Sequence, residues 1–479
     1  MKQIQKKFSI IIIFSILATL LIPLNVLADG MMINPDLYSD RWDYGDQTNQ
    51  QTFINYEDGL EEMILSIGIE KANKGAVWLF PVPANPDKVI IDIMTEFPEL
   101  RGEEIIKKAK SNLFFTRKDL WLTQIYTFPF VMRGLYTLST GKGEGITSPM
   151  GLEMGLEVET DVIVHEHLEK EGITTEIITA KTAQALYDYL KNKELKIDKG
   201  SIPVLDSYIG KEFTFIISWV SGEFPLTNEQ RGVFVTFPTE KIYYPLLLTS
   251  VYGSKVIPIT IRVIGYVSPK IFKDIKNYTE VKYYFDEYIP LYKYTEEGIK
   301  PISNFFGESV EIKGGYGMRK MENVKYTKIE INAPSKMFTD DLWISSRTPL
   351  KANYASFLFN HPLLNWIILL IICSILSGIF AGLTVFKESR NKKGIKKYGL
   401  LGLSNVLSII GLIIATIFAK TKDIKKEDEE LFKELEVKGY STWRIQTRDL
   451  RKFAFVPVFS IYFLIVSWVL IEILKLGLF

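Results

Sequence analysis

Cysteine and histidine are scarce in this sequence, which narrows the chemistry open to it. The 479 residues include one cysteine, Cys373, and three histidines. An intramolecular disulfide is therefore excluded, and because Cys373 lies in an apolar run, a thiol nucleophile outside that run is excluded too. A domain without disulfides depends on burial of its core, and the stretch 29–345 is long enough to form one.

An excess of one charge and the common catalytic motifs are also missing. Lys and Arg number 57 against 56 Asp and Glu, a formal net charge of +1, so no basic field argues for nucleic-acid binding. The chain lacks GxxxxGK[ST], HExxH and GxSxG. A phosphate-binding loop, a zinc-protease helix and a serine-hydrolase elbow of the usual form are thereby excluded.

The first 28 residues have the pattern of a signal peptide. A basic start is followed by the apolar run Phe8–Leu24, and Val26-Leu27-Ala28 then offers a cleavage site before Asp29. An uncleaved membrane anchor is the alternative. Either way, the chain after Asp29 is predicted to be exported, and no cysteine follows the run to accept a lipoprotein anchor.

Three later apolar runs, Leu363–Phe386, Tyr398–Phe418 and Phe453–Leu474, are each long enough to cross a bilayer core of ~30 Å and predict three transmembrane helices. Glu472 and Lys475 predict an interfacial pair that snorkels, or alternatively a proton or ion site. Small residues recur at near four-residue spacing and predict close packing of these helices, or a dimer face: Ser374, Gly378, Gly382, Ser404, Ser408, Gly411 and Ala415.

The two loops between these runs give conflicting orientation signals. The first loop has six Lys or Arg against one acid, Glu388, and predicts a cytoplasmic position. Three crossings would place the second loop, Lys420–Lys452, outside, although its ten Lys or Arg and eight acids fit the cytoplasmic side better. Counting crossings from the signal peptide favours the external position. An apolar stripe predicts that this loop is helical, formed by Ile424, Leu431, Phe432 and Leu435.

Residues 29–345 predict an α+β ectodomain with a mainly antiparallel sheet, followed by a C-terminal transmembrane α-helical bundle. A glycine-rich loop, 139–156, divides its N-terminal part, 29–138, from its C-terminal part, 157–345. Glu103–Asn112 and Thr182–Lys191 predict helices. Patterns of apolar residues predict strands at Glu61–Glu70, Ala76–Phe80, Lys88–Met94, Leu156–Leu168, Ile173–Thr179, Glu212–Val220, Gly232–Phe237, Ile242–Thr249, Val256–Val267 and Lys325–Ile331.

Two clusters are candidate metal ligands. His165 and His167 lie two apart in a predicted strand, where both would point to one face and could share a metal, or form a solvated face. Near the mature N-terminus, Asp36, Asp40 and Asp43 are spaced closely enough for calcium, although the twelve-residue calcium loop is absent and a polar loop is the alternative. No other cofactor and no catalytic residue is predicted.

Several stretches carry a family resemblance, namely Ala28-Asp29-Gly30, Glu57–Leu65, Val77–Pro83, Ile242–Leu246, Tyr326–Ile329 and Asp340-Asp341-Leu342. In these stretches the sequence resembles the domain of unknown function 2330 family of exported or membrane-tethered prokaryotic proteins. The resemblance implies an extracytoplasmic location but no activity and no catalytic residue, and it does not cover the three apolar runs. Val77–Pro83 also predicts a buried strand that a proline segment redirects.

These patterns predict a membrane-anchored, non-catalytic module of the cell envelope. Its expected partners are the lipid bilayer and an extracellular protein or glycan. A second hypothesis is an extracytoplasmic hydrolase, because catalytic carboxylates need no fixed spacing in sequence. A third is an accessory subunit of a membrane complex, since the small-residue stripes could receive a helix from a partner.

Overall fold

The computed structural model describes residues 31–34, 43–44, 51–67, 77–94, 98, 100–125, 162–170, 172–193, 199–220, 231–290, 292–295, 298–301, 320–386, 392–419, 426–440 and 451–478. The predicted signal peptide, the glycine-rich loop 139–156 and the candidate ligands Asp36 and Asp40 lie outside the described residues. The chain forms two compact units, Met1–Gly102 with Thr147–Thr348 and Glu103–Ile146 with Pro349–Phe479. We call them the β-rich unit and the helical unit.

The described strands are mainly antiparallel, as the sequence predicts. They are β1 (Met31–Asn34), β2 (Asp43–Tyr44), β3 (Gln51–Glu57), β4 (Leu60–Ile67), β5 (Val77–Val82), β6 (Ile90–Met94), β7 (Glu103–Glu104), β8 (Val162–Lys170), β9 (Ile173–Ala180), β10 (Thr214–Val220), β11 (Arg231–Pro238), β12 (Ile242–Tyr244), β13 (Val256–Ile264), β14 (Ser268–Pro269), β15 (Thr279–Pro290), β16 (Tyr292–Thr295), β17 (Gly298–Pro301), β18 (Lys320–Pro334) and β19 (Leu342–Ser345).

Two large sheets dominate the β-rich unit. One has the strand order β2-β1-β5-β10-β9-β8, and the strands that this unit contributes to the other are ordered β6-β11-β4-β3-β13-β18-β15. Of these pairings, β3 with β13 is parallel. A smaller sheet has the order β12-β19-β14, and β16 pairs with β17.

The core of this unit follows from the alternation of apolar side chains. In β13 every second residue is buried, as expected of a strand with one face on a core. These side chains share one cluster with Trp78 and Phe80 of β5 and Tyr243 of β12, so both large sheets and the small sheet contribute to it. The hairpin between β3 and β4 turns at Asp58 and Gly59, whose φ values of +49° and +85° suit a two-residue turn.

Some strand boundaries differ from the predictions for local reasons. The predicted strand Ile242–Thr249 ends at Tyr244 because Pro245 follows it, and Leu247–Tyr252 forms a 3-10 helix instead. Strand β15 is twelve residues long but lies outside the predicted strands. Its alternating Lys, Glu and Tyr side chains mask the apolar period on which sequence reasoning relies.

The described helices are α1 (Ile105–Leu122), α2 (Ala183–Asn192), α3 (Ile202–Asp206), α4 (Leu350–Asn360), α5 (Pro362–Val385), α6 (Lys392–Leu403), α7 (Ser408–Phe418), α8 (Lys426–Val437) and α9 (Arg451–Leu476). Helices α2 and α3 belong to the β-rich unit and α1 and α4–α9 to the helical unit. Three segments are long and apolar enough to cross a membrane, judged by length and composition among the described residues: Pro362–Val385, Lys392–Phe418 and Ala454–Leu476.

Two features of the helical unit differ from the pattern in the sequence. Helix α1 packs with the C-terminal helices, although it lies within the sequence assigned to the ectodomain. The second apolar segment is also interrupted: α6 ends at Leu403, Ser404–Leu407 forms a 3-10 turn, and α7 begins at Ser408, whose φ is +71°. A positive φ at a residue with a side chain marks a sharp change in chain direction.

Candidate functional site

The β-rich unit contains two carboxyl groups that a single tyrosine connects. The Tyr243 backbone N–H donates to Glu61 Oε2 at 2.7 Å, and the Tyr243 hydroxyl donates to Asp341 Oδ2 at 2.9 Å. Strand β12 places Tyr243 beside β19, which follows Asp341 directly. We call these residues, with Tyr208, the acid–tyrosine cluster.

Asp341 accepts three hydrogen bonds within this cluster. Oδ1 accepts from the Tyr208 hydroxyl at 3.0 Å and from the Leu247 N–H at 2.8 Å, and the Tyr243 hydroxyl supplies the third. Burial raises the pKa of Asp341, and the three donors oppose that rise without cancelling it. The same burial and the carboxylate raise the pKa values of both tyrosines, which stay protonated as donors.

Glu61 is more enclosed and has fewer partners. It is fully buried, and within the part of the chain that the structure describes, its Oε1 has no hydrogen-bond partner. Burial raises the pKa of Glu61 well above its usual range, and the single N–H bond from Tyr243 only partly offsets this. The protonated, neutral form is therefore favoured, because an isolated charge in an apolar core is costly.

Aromatic rings enclose the cluster. The ring centroid of Tyr243 lies 4.9 Å from that of Trp343, 5.9 Å from Phe213 and 6.4 Å from Phe237. Tyr243 has no exposed surface and Asp341 is 7% exposed. Neither carboxyl group is presented to solvent, so the geometry suits a structural network that specifies the core better than a pair of catalytic acids.

Three of the stretches that carry the family resemblance meet at this cluster. Glu61 lies in Glu57–Leu65, Tyr243 in Ile242–Leu246, and Asp341 in Asp340-Asp341-Leu342, and Trp78 belongs to the same buried core as Tyr243. Sequence reasoning selected these stretches but did not recognise that they share hydrogen bonds. The residues are 98 to 182 positions apart where they bond, and no spacing rule predicts such contacts.

The two candidate histidines lie in β8 but do not converge on one site. A β-bulge interrupts the register between Val164 and Glu166, next to His165. His165 Nε2 is 2.8 Å from Thr179 Oγ1, whereas His167 Nδ1 is 2.9 Å from Glu176 Oε1. Thr179 and Glu176 are three residues apart in β9 and so point to opposite faces of the sheet. The prediction that His165 and His167 share one face assumed that side chains alternate regularly along β8, and the bulge interrupts that alternation.

His167 instead joins a charged cluster around Glu176. Glu176 Oε1 also accepts from Lys193 Nζ at 2.5 Å, and Oε2 accepts from the Tyr189 hydroxyl at 2.6 Å. Burial raises the pKa of Glu176, but the bonds from Lys193, Tyr189 and His167 outweigh it, so the net pKa is lowered. The Lys193 ammonium lies 4.7 Å from the centre of the Trp219 ring, a cation–π contact.

No metal centre forms among the described residues. Within them, no group of three or more His, Cys, Asp or Glu side chains could hold a metal ion. Asp43 begins β2, where its backbone pairs with Asn34, and the other two aspartates of the candidate calcium cluster lie outside the described residues. The calcium and histidine-metal assignments remain predictions from the sequence.

In the helical unit, the first small-residue stripe lies where α5 meets α6. A Cβ added at Gly378 would be 2.7 Å from Gly402 Cα, and one added at Gly382 would be 2.6 Å from the Tyr398 side chain. The backbones approach closely because these positions carry no side chain. The partner residues on α6 differ from the second predicted stripe, whose Gly411 contacts Ser404 and Leu407 near the helix break.

A second polar cluster lies inside the helical unit, which we call the amide–hydroxyl cluster. Gln124 Nε2 donates to Asn405 Oδ1 at 3.1 Å, and Asn405 Nδ2 donates to Ser374 Oγ at 3.3 Å. The Ser460 hydroxyl donates to Gln124 Oε1 at 3.1 Å. The Ile409 N–H, in the first turn of α7, donates to the Thr123 carbonyl at 3.1 Å. Four separate segments are thus joined through uncharged polar groups.

The Glu472–Lys475 pair has a third member that the sequence did not reveal. Lys475 Nζ lies 2.8 Å and Arg117 Nη1 lies 3.1 Å from Glu472 Oε1. Arg117 comes from α1, 355 residues earlier in the chain. Its guanidinium also lies 5.4 Å from the centre of the Phe114 ring and 5.6 Å from that of Trp121.

Comparison with known proteins adds no family assignment. No protein-family model matches the chain, and no curated protein matches it. A mutated baculovirus P35 after caspase cleavage aligns at 11% identity over 63% of this chain and 100% of that chain, with a TM-score of 0.25. Baculovirus P35 itself aligns at 12% identity over 62% of this chain and 97% of that one, with a TM-score of 0.20. Scores this low carry no argument about fold or function, and the resemblance to the domain of unknown function 2330 family stays a prediction.

Proposed function

We propose that this protein is a membrane-anchored, extracytoplasmic module that binds or scaffolds an extracellular protein or glycan without catalysing a reaction. The helical unit supplies the anchor and the β-rich unit the binding surface. The signal-peptide pattern of the first 28 residues supports export of the β-rich unit.

The observation that carries the anchoring proposal is the apolar exterior of the helical unit. Its interior holds apolar side chains such as Phe459 and Phe463 together with the buried polar residues Asn405, Ser374 and Ser467. Large apolar side chains also face outward, where a water-soluble bundle would carry polar ones, among them Ile368, Ile372, Ile414, Ile461, Ile465 and Val469. Polar groups that pair internally and an apolar exterior are what a bilayer demands.

The acid–tyrosine cluster supports a non-catalytic role over the hydrolase hypothesis. A carboxylate-dependent hydrolase needs two acids that face a substrate between them. Glu61 and Asp341 instead bond to opposite ends of Tyr243 inside the core. Both carboxyl groups are buried, so a substrate has no access to a position between them.

Fractionation and protease protection test this proposal. The full-length protein should stay in the membrane fraction after alkaline carbonate extraction, and protease added to intact cells should digest the β-rich unit. A chain released by carbonate, or a β-rich unit protected until the cells are opened, would contradict anchoring or export respectively. Substrate conversion by the wild type that Glu61→Gln abolishes would restore the hydrolase hypothesis.

A further inference from the structure

Helices α5 and α9 run antiparallel, and this limits how the chain between them can cross a membrane. At one end, the Tyr354 hydroxyl of α4, which leads into α5, donates to the Leu474 carbonyl of α9 at 3.2 Å. At the other end, Thr384 Oγ1 lies 2.9 Å from the Tyr462 hydroxyl. The rings of Phe386 and Phe455 are 6.3 Å apart there. The chain therefore leaves α5 and enters α9 at the same end of the helical unit.

Among the described residues between Phe386 and Phe455, one segment is long and apolar enough to cross a membrane. That segment, Lys392–Phe418, precedes 420–452, whose eighteen charged residues could not return through the apolar core. If this segment crossed the membrane once, the chain would emerge at the end opposite the one where α9 begins. We infer, on the premise of the membrane anchor proposed above, that Lys392–Phe418 enters the bilayer and leaves on the side where it entered.

The local backbone provides the turn that this requires. A Cβ added at Gly411 would lie 2.6 Å from the Ser404 carbonyl oxygen. In a continuous helix, residues seven apart are separated by about 10 Å along the axis. The chain therefore bends sharply between α6 and α7, at the 3-10 turn and the positive φ of Ser408, and such a bend allows α7 to return toward the side where α6 enters.

The turn lies at mid-depth. Asn405 is the central residue of Lys392–Phe418, and it bonds to Ser374, which is central in α5. In the middle of a bilayer no water is present to satisfy polar groups, so the turn needs partners from the protein. Ser374 and Gln124 supply them for Asn405, and the Thr123 carbonyl supplies one for the exposed N-terminus of α7.

Gln124 and Thr123 follow α1, which approaches from the opposite side. Its contacts with α9 pass from Arg117 with Glu472 to Trp121 with Ser467. Ser467 is nine residues before Leu476, or roughly 14 Å along the axis, about half of a ~30 Å apolar core. Helix α1 therefore ends near the middle of the bilayer, where its end meets the turn between α6 and α7.

The exposed side of α1 carries the apolar side chains that insertion into a bilayer requires. Exposed apolar side chains on α1 and just after it are Phe114, Phe115, Trp121 and Ile125. Arg117 pairs with Glu472 near the end of α9, at interfacial depth. The neighbouring Lys118 and Asp119 lie close to that depth, and residues 120–125 carry no charge. This arrangement also places both basic segments, 387–397 and 420–452, on one side, which removes the conflict with the positive-inside pattern.

Labelling of single cysteines with an impermeant maleimide tests the topology in the full-length protein. In a Cys373→Ala background, Lys393→Cys and Glu434→Cys should both label in inverted vesicles and neither in intact cells. Asp188→Cys, on α2 of the β-rich unit, should label in intact cells. Labelling of Glu434→Cys from outside together with Asp188→Cys would overturn the re-entrant segment. Labelling of Asp188→Cys only from inside would overturn the proposed export. It would not affect the conclusion that Lys393 and Glu434 lie on the same side of the membrane.

Spin labels on the same background test depth. Cysteines at Trp121 and Ile125, both beyond Arg117 and exposed, should be more accessible to oxygen than to a polar nickel reagent, like the reference position Ile372 on α5. Aqueous accessibility at Trp121 and Ile125 with a lipid signature at Ile372 would overturn the insertion of α1 alone. An aqueous signature at Ile372 as well would overturn the membrane anchor.

The substitution Gly411→Ala gives a readout that needs no label. In a continuous crossing helix alanine would raise the melting temperature, because glycine is the poorer helix former. At the turn the added methyl meets a backbone oxygen, so the melting temperature of the helical unit should fall. A rise would overturn the turn.

Discussion

The two units bury polar groups of different kinds, and this difference fits the different surroundings that we propose for them. In the β-rich unit the acid–tyrosine cluster centres on Asp341, a carboxyl group with three donors. In the helical unit the amide–hydroxyl cluster centres on Asn405, whose partners are another amide and a hydroxyl. A buried carboxyl group needs several hydrogen-bond donors or a proton to offset its lost hydration. Neutral amides suit an apolar surrounding because they pair without a charge to desolvate.

The largest effect is expected in the core that supports the acid–tyrosine cluster. Trp78 is 3% exposed in β5, so Trp78→Ala should lower the free energy of unfolding of the β-rich unit by about 3–5 kcal/mol. Hydrogen exchange of the full-length protein in nanodiscs, across a urea series, measures this for each unit. Ile90→Ala, at a side chain 53% exposed, is the control and should change the value by less than about 0.5 kcal/mol. Equal effects of both variants would remove Trp78 from the core.

The strands and helix α1 differ in how far the sequence predicts them. Strands such as β4, β10 and β13 follow from apolar alternation, and the three apolar segments follow from length and composition. Of helix α1, the sequence predicts only the part within Glu103–Asn112, because its eighteen residues include six charged ones, which hide the apolar face that contacts other helices. The sequence does not predict the break at Ser404–Ser408, because these serines also fit the small-residue pattern of a packed helix. The bonds of Tyr243 are long-range, and one sequence contains no signal for them.

The next effect should distinguish the carboxyl group from an amide of equal size. Asp341→Asn replaces one acceptor oxygen by an NH₂ donor, so at least one of the Tyr208, Tyr243 and Leu247 donors loses its partner. The expected loss is about 1–3 kcal/mol of unfolding free energy. Asp340→Asn, at the exposed neighbouring residue, should stay within about 0.5 kcal/mol of wild type. If Asp341→Asn were as stable as wild type, the cluster would tolerate an amide and the contrast with Asn405 would fail.

The pH dependence of stability tests whether Glu61 is neutral in the folded protein. Its pKa is raised by burial, so the folded state holds the proton more tightly than the unfolded state. Stability from this group is therefore full below the unfolded pKa and falls as pH rises toward the folded pKa, by at most about 1.4 kcal/mol per pH unit. Glu61→Gln keeps an acceptor for the Tyr243 N–H and removes the titration. Its unfolding free energy should vary less between pH 5 and 8 than that of wild type, and an identical slope would show that Glu61 is ionised in the folded protein as in the unfolded one.

The smallest effect is expected at the amide–hydroxyl cluster. Asn405→Leu removes the acceptor of Gln124 and the donor to Ser374, but Gln124 keeps Ser460 and the Thr123 hydroxyl as partners. Hydrogen bonds between helices in bilayers contribute about 0.6 kcal/mol on average and about 1.7 kcal/mol at most, so the loss should fall in that range. Unfolding of the helical unit in mixed micelles measures it, with Ile410→Leu at an exposed position of α7 as the control. A loss clearly above about 1.7 kcal/mol would contradict this prediction, because it would show that the Asn405 amide does more than join two neutral neighbours.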